Sequence, residues 1–424
     1  MTTKKLEVYL NKIFTGIFEQ NSSGGGKLSF TYDKKYLKSA NAKKLSICLP
    51  LKPEAFDDAT TRAFFSGLLP EDKQLVLVAK NLKSSARNPF ALLSEVGRDC
   101  AGSIEILPSG EKPPSYFEGS SEKLSENKLY EILSEIRTNP LLAANKKIRL
   151  SLAGAQSKLA VLFDEKKKNA LPELVKNKPS THILKPIIPD LPDSVHNEFF
   201  CMKLAKEIGF EVAEVFLKQV KERHYLLIRR YDRVKSKGYT IRIHQEDFCQ
   251  ALGLFPEQKY QGVDGGPGIE NCLKLITEHC SFPGLDSARF INAVIFNYLI
   301  GNSDAHGKNF SFLYQGSSIK LAPLYDLIST NSYSKLEHRM AMKLGRSHDP
   351  DRTTLRHWHS IVADKATSRS YLDKELQNLA IKLPQAAEAL QNKLKKAGIE
   401  SEVFNVIRGT IAKRSTRILG YFKV

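Results

Sequence analysis

Apolar and polar positions alternate with a period of two along LEVYLNKIFTGIFEQ and KLSFTYDKKYL, the pattern of half-buried strands, and the run SSGGG at 22–26 predicts a turn between them. A helical pattern follows in DATTRAFFSGLLPEDKQLVLVAKNL and another in NPFALLSEVGRD, so residues 1–110 read as a small α+β subdomain. Residues 106–123, ILPSGEKPPSYFEGSSEK, are rich in Pro, Gly and Ser and predict a linker. Beyond it come a helix around LSENKLYEILSEIR, a small-residue loop into a short strand at Lys158–Phe163, and a second apolar run, THILKP. A helix capped at Asp193 or Ser194 runs through HNEFFCMKLAKEIG, and EVFLKQV and HYLLIRRYD read as a hairpin around the polar loop KERH. Residues 124–243 therefore form a second region of strands and helices.

From about 245 the pattern turns helical, apart from YQGVDGGPG at 260–268, whose four glycines and one proline exclude regular structure. The stretch ARFINAVIFNYLIG is apolar on most faces, which predicts a buried helix. Residues 244–424 thus read as a mostly helical lobe. No internal repeat is visible.

A chain of 424 residues is too long for one core, and its 42% hydrophobic and 26% charged residues are those of a globular protein. No segment has the apolar length of a membrane span, and the N-terminus lacks a signal-peptide pattern, so the expectation is a cytoplasmic protein with no membrane partner. The six cysteines are scattered without zinc spacing and read as reduced thiols. A formal charge of +18 suits either a polyanionic partner or a generally basic, soluble surface. It is strongest at the end, where residues 393–424 carry eight Lys or Arg against two Glu.

The candidate chemistry begins at GNSDAHGKNFSF, residues 301–312. Phosphoryl transfer from ATP requires a carboxylate that accepts the hydroxyl proton, and an asparagine and a second carboxylate that hold Mg²⁺. Asp304 and Asn309 have the separation that the base and the asparagine keep in protein kinases. FSFLY, a turn at QGSS and IKLAPLYD then predict a hairpin that returns Asp326 to Asn309. The plainer alternatives are a turn aspartate, an amide satisfying loop backbone, a packed His306 and a solvated Lys308. Ala153, Gly154, Ala155, Gln156, Ser157 and Lys158 form a candidate phosphate loop, or simply a tight turn before a strand. Lys185, at the end of an apolar run, either snorkels to water or meets an anion. Glu198 either pairs with Lys185, as a kinase helix glutamate does, or sits as a favourable charge in the first helical turn.

The order of these parts, from small-residue loop to final aspartate, is that of a bilobal protein-kinase-like phosphotransferase. The chain resembles the HipA family of serine/threonine kinases, toxins of bacterial toxin–antitoxin pairs. The resemblance is carried by FFSGLLPE (64–71), LLSEVGRDCAGSI (92–104), RLSLAGAQSKLAVL (149–162), THILKP (181–186) and NEFFCMKLAKEIGFEV (197–212). It continues through RRYDR (229–233), QEDFCQALG (245–253), DGGPGI (264–269), NSDAHGKNFSFL (302–313) and LAPLYDLIS (321–329). The fold it implies is α+β, with a small β-rich N-terminal subdomain and a mostly helical C-terminal lobe.

The resemblance implies that Asp304 is the catalytic base, Asn309 and Asp326 are Mg²⁺ ligands, and Lys185 and residues 153–158 hold the ATP phosphates. It assigns His306, Lys308 and Tyr325 to the nucleotide site, and the backbone of Arg229, Arg230 and Tyr231 to the adenine edge. Well-known members have an acidic residue where this chain has Arg229, so a backbone contact is the one implied. Ser151, in the R-x-S-x-A-G motif, is implied as an autophosphorylation site that switches the enzyme off. The implied partners are a helix-turn-helix antitoxin of HipB type, operator DNA within that complex, and a translation component such as an aminoacyl-tRNA synthetase. Lys393, Lys395, Lys396, Lys413, Arg414 and Arg417 are the candidate DNA phosphate contacts. Alternatives from other classes are a catalytically minor co-repressor and a small-molecule kinase.

Overall fold

Asn11 and Lys12 both take left-handed backbone conformations, with φ of 49° and 65°, and they split the first strand-like stretch into a hairpin. Lys4–Leu10 pairs antiparallel with Ile13–Gln20, and the register shifts at Val8 and Tyr9. Alternation alone could not show this turn, because neither residue is a glycine. The computed structural model describes residues 3–21, 26–115, 118–136, 154, 156–167, 169–176, 178–236 and 238–423. Four residues of the expected SSGGG turn, and Ser151 with Ala153 and Ala155 of the expected phosphate loop, lie outside the described residues.

The chain divides into two units. The first comprises Met1–Pro186, Lys218–Glu257 and Leu313–Gly316, and the second Ile187–Leu217, Gln258–Phe312 and Ser317–Val424.

In the first unit a four-stranded antiparallel sheet has the order Leu28–Tyr32, Ile13–Gln20, Lys4–Leu10, Ile104–Pro108. Its apolar face meets the helix Asp58–Ser66, capped by the Asp57 carboxylate, and Phe65 of that helix stacks on Phe18 at 4.0 Å. Burying each such side chain stabilises the fold by about 1.5–3 kcal/mol. A second sheet places Ser120–Lys123, Glu173–Lys176, Leu159–Leu162, His182–Pro186 and Arg223–Arg229 side by side. The expected linker at 106–123 is therefore strand at both ends. Its C-terminal end pairs Ser120 with Lys176, a partner too distant in sequence for composition to reveal.

A buried ionic cluster joins early and late segments of this unit. Asp99 accepts from Arg233 and lies within ion-pair distance of Arg230 (3.7 Å) and Arg242 (3.2 Å). Asp232 binds Arg230 and Arg233, both at 2.8 Å, and accepts from the Gly102 N–H. Burial alone raises the Asp99 pKa, but Arg242, Arg233 and Arg230 outweigh it and hold the carboxyl well below the usual range.

The second unit is built on helices Ile269–His279, Pro283–Ile300, Ala366–Lys396 and Glu402–Gly420. Pro283–Ile300 buries most of its C-terminal half, as its apolar composition predicts, and stops at Gly301. There φ is +79° and a Cβ would fall 2.7 Å from Asn331, so the sharp exit into the next loop requires glycine. No helix among the described residues is long and apolar enough to cross a membrane.

Candidate active site

The loop after Gly301 is fixed almost entirely by amides. Asn302 is buried, donates to the Asn297 side chain at 2.8 Å, and accepts the backbone N–H of Asp304 at 3.0 Å. The Asp304 carbonyl then accepts from the His306 N–H and the Asn309 side-chain amide, both at 2.9 Å. Asn309 therefore uses its NH₂ group on the loop. Ser303 is pinned on three sides: its N–H donates to Thr330 at 2.8 Å, and its hydroxyl to the His338 carbonyl at 2.9 Å. Its own carbonyl accepts from the Ala341 N–H at 2.9 Å.

Within this frame the Asp304 side chain is 47% exposed, whereas His306 and Lys308 are buried. The Tyr260 hydroxyl donates to Asp304 Oδ1 at 2.6 Å, and His306 Nε2 lies 3.9 Å from the same oxygen. A reachable carboxylate oriented by a phenol hydroxyl is an arrangement that suits a general base.

Asp326 follows by the expected route, with one change. The hairpin strands are Ser311–Gln315 and Ser318–Leu321, and the return strand stops before the aspartate. Leu324 pairs instead with the segment at Val212: its N–H donates to the Glu211 carbonyl and its carbonyl accepts from the Ala213 N–H, both at 2.9 Å. The Tyr325 hydroxyl donates to the Lys308 carbonyl at 2.8 Å and meets the Ser311 hydroxyl at 2.6 Å. That bond joins the sequence neighbours of Asp326 and Asn309. Asp326 itself is left-handed, with φ of 54°, a strained state that clusters at functional sites. One amide oxygen and one carboxylate are hard donors suited to Mg²⁺, which keeps waters and substrate phosphate oxygens as its other ligands. No group of three His, Cys, Asp or Glu among the described residues could hold a metal ion.

In the first unit, Lys185 lies on the strand His182–Pro186, paired with Leu226 and only 3% exposed. Upstream, Gly154 has φ +107°, and a Cβ there would fall 2.5 Å from the Lys158 ammonium, so glycine lets that charge approach the loop backbone. The Gly154 carbonyl accepts from the Glu71 N–H at 3.2 Å. Gln156 donates to the Pro186 carbonyl at 3.3 Å, and Ser157 is half-buried.

Arg229 ends the neighbouring strand Arg223–Arg229, paired with His182, and Arg230 and Tyr231 follow it. Arg229 pairs with Glu165, which also meets His182 at 2.9 Å. Burial outweighs Glu165 and lowers the His182 pKa to about 4. The Arg230 guanidinium belongs to the buried ionic cluster, although its backbone N–H reaches the Thr181 carbonyl at 2.9 Å. Tyr231 donates to Gln245.

Glu198 is buried on the helix Ser194–Glu207 of the second unit, whose start bears no side-chain cap bond from Asp193. Ser194 instead accepts the Ile188 N–H at 2.7 Å.

Of the basic C-terminal residues, Arg414 departs from expectation. It is 4% exposed, lies over the Tyr298 ring at 5.0 Å and donates to the Tyr298 carbonyl, so it is not available to a phosphate. Lys393 pairs with Glu207 at 2.7 Å, Lys395 with Glu400 at 3.7 Å, and Lys413 and Arg417 with Asp351 at 3.5 and 3.3 Å. Lys396 is exposed.

Sequence reasoning missed Tyr260 and Asn302 as parts of the site. The signal for Tyr260 was present in the glycine-rich loop it opens, and Asn302 lies two residues before Asp304.

Comparison with known proteins agrees with this architecture. Residues 6–107 match the HipA N-terminal domain and residues 150–392 the HipA-like C-terminal domain. A Sinorhizobium fredii protein, Y4mE, is 37% identical over 98% of both chains. The serine/threonine-protein kinase toxin HipA of Shewanella oneidensis is 32% identical over 80% of both. Among solved structures, a Shewanella oneidensis complex of HipA, HipB and operator DNA superimposes with a TM-score of 0.83, at 27% identity over 98% of both chains. With both halves matched in order on an α+β fold, the chain belongs to the HipA family of kinases.

Proposed function

We propose that this protein is an ATP- and Mg²⁺-dependent serine/threonine protein kinase that acts as the toxin of a toxin–antitoxin pair in the cytoplasm. The observation that carries the reading is the half-exposed Asp304 carboxylate, held at Oδ1 by the Tyr260 hydroxyl on a loop whose backbone Asn302 and Asn309 fix. Asp304 orients the acceptor hydroxyl and takes its proton. Lys185, Lys158 and the backbone of residues 153–158 bind the ATP phosphates, His306, Lys308 and Tyr325 line the nucleotide site, and the 229–231 backbone holds the adenine edge. Bound Mg²⁺, held by Asn309 and Asp326, would neutralise phosphate charge.

The protein substrate is a translation component such as an aminoacyl-tRNA synthetase, and Ser151 is a self-phosphorylation site. A phosphate there adds about −1.5 to −2 charge beside a loop that must receive ATP phosphates, so it switches the enzyme off. The partner is a helix-turn-helix antitoxin of HipB type. Operator DNA is contacted through the exposed Lys396 and through Lys393, Lys395, Lys413 and Arg417, whose surface ion pairs are worth only about 0–1 kcal/mol each and yield readily to phosphate. The relative solved with HipB and operator DNA supports this partner set.

Intact-mass measurement before and after incubation with Mg²⁺ and ATP, with peptide mapping, tests the reading. The expected result is one added phosphate on Ser151, abolished by EDTA. Labelling that persists in EDTA would remove the metal from the account, and phosphate elsewhere would remove the switch.

A further inference from the structure

Tyr260 opens the loop YQGVDGGPG, which lies in the same unit as Asp304 and well upstream of it. Its carbonyl accepts the N–H groups of Asp264 at 3.2 Å and Gly266 at 3.0 Å, closing a tight ring of backbone. Gly266 is required there, because a Cβ would fall 2.4 Å from the Gln258 carbonyl oxygen. The loop is also tied to the catalytic loop through one residue. The Ala341 carbonyl accepts from the Gln261 N–H at 3.2 Å, and the Ala341 N–H donates to the Ser303 carbonyl at 2.9 Å. The residue after Tyr260 and the residue before Asp304 are thus fastened to the two sides of Ala341. A second tie, from the Lys343 N–H to the Gln261 side chain at 2.7 Å, secures the same edge.

The side chain completes what the backbone sets up. The Tyr260 hydroxyl is 2.6 Å from Asp304 Oδ1, the length of a charge-assisted bond from a phenol to a carboxylate. Its ring meets His306 edge-on, with centroids 5.1 Å apart at 83°, so the phenol cannot swing away without leaving that contact. Oδ1 is therefore occupied from the side of Tyr260 and His306, while the carboxylate as a whole remains 47% exposed.

We propose that Tyr260 is a positioning residue for phosphoryl transfer: it fixes Asp304 through Oδ1 so that Oδ2 faces the acceptor hydroxyl. The proposal rests on the reading of Asp304 as the base. Without the phenol, a half-exposed aspartate would sample several rotamers, and reactive geometry would be reached less often.

The test uses the full chain with Tyr260→Phe, Asp304→Ala and the double variant. The readouts are phosphate incorporation from MgATP, ATP affinity by calorimetry, and thermal melting. Tyr260→Phe keeps the ring against His306. It should lower the transfer rate on the order of 10- to 100-fold while ATP affinity and melting stay at the parent's values. It should have no further effect once Asp304 is removed. A merely structural tyrosine would instead lower melting and act additively. Parent-like or faster transfer by Tyr260→Phe, with Asp304→Ala inactive, overturns the proposal alone. Parent-like transfer by Asp304→Ala overturns the base assignment and this proposal with it.

Discussion

Two polar clusters, one in each unit, put aspartate carboxylates to opposite ends. Around Asp99 and Asp232, three arginines meet two aspartates, and every member is at most 8% exposed. Charge answers charge at each acceptor, and little of the cluster meets water. Around Asp304 the neighbours are a phenol, the His306 imidazole at 3.9 Å, amides and backbone groups, and the carboxylate is 47% exposed. The first arrangement binds distant segments together and leaves no oxygen for a substrate. The second fixes the direction of one oxygen and leaves the carboxylate half-exposed, which is what the proposed base requires. Saturated burial indicates structure, and oriented exposure indicates chemistry.

The comparison breaks first at Asp99. Asp99→Asn removes the one carboxylate that meets all three of Arg230, Arg233 and Arg242, and should cost about 3–5 kcal/mol in denaturant unfolding. A loss below about 1 kcal/mol would mean that the cluster does not hold the unit together. Glu246 sharpens the contrast, since it is a buried carboxyl held by the Ser46 and Tyr314 hydroxyls and the Ile47 N–H rather than by arginines. Burial pushes its pKa up to about 7, above the 4.5 of a free glutamate. The folded state therefore binds that proton more tightly. Its contribution to stability is full below pH 4.5 and is lost as pH rises towards about 7. The stability of the parent relative to Glu246→Gln should fall by on the order of 3 kcal/mol across that window, and a flat difference would contradict it.

Asn302→Ala tests orientation on the catalytic side. Deprived of the acceptor for its N–H, Asp304 should lose about 1–3 kcal/mol of transition-state stabilisation, read as slower phosphate transfer at unchanged ATP affinity. At the small end, Lys413→Ala breaks only an exposed pair with Asp351 and should change melting stability by less than about 0.5 kcal/mol. It should also reduce the salt dependence of operator binding in the antitoxin complex, whereas an unchanged slope would remove Lys413 from the DNA contacts.

What the sequence made legible was local. The spacing of Asp304 and Asn309, the buried helix before them and the apolar strand ending in Lys185 all depend on neighbours within a few residues. The pairings that lay hidden join residues far apart. RRYDR reads as the end of a strand, yet Arg230 and Arg233 are buried because Asp99 lies opposite them in the fold. The same limit explains Arg414, whose basic neighbourhood suggested a surface while the Tyr298 carbonyl and ring draw it inward. Short strands were missed as well: His244–Asp247 has four residues, too few for alternation to register. Tyr260 reaches Asp304 only through the folded glycine loop.

The central claim is that Asp304 is the base of an ATP phosphotransferase. It is tested most directly by following phosphate incorporation from γ-labelled ATP into the parent and Asp304→Ala side by side, with ATP affinity measured on both. The account predicts that transfer falls by about 10³-fold or more while both proteins bind ATP alike. Equal incorporation by the two proteins would contradict it.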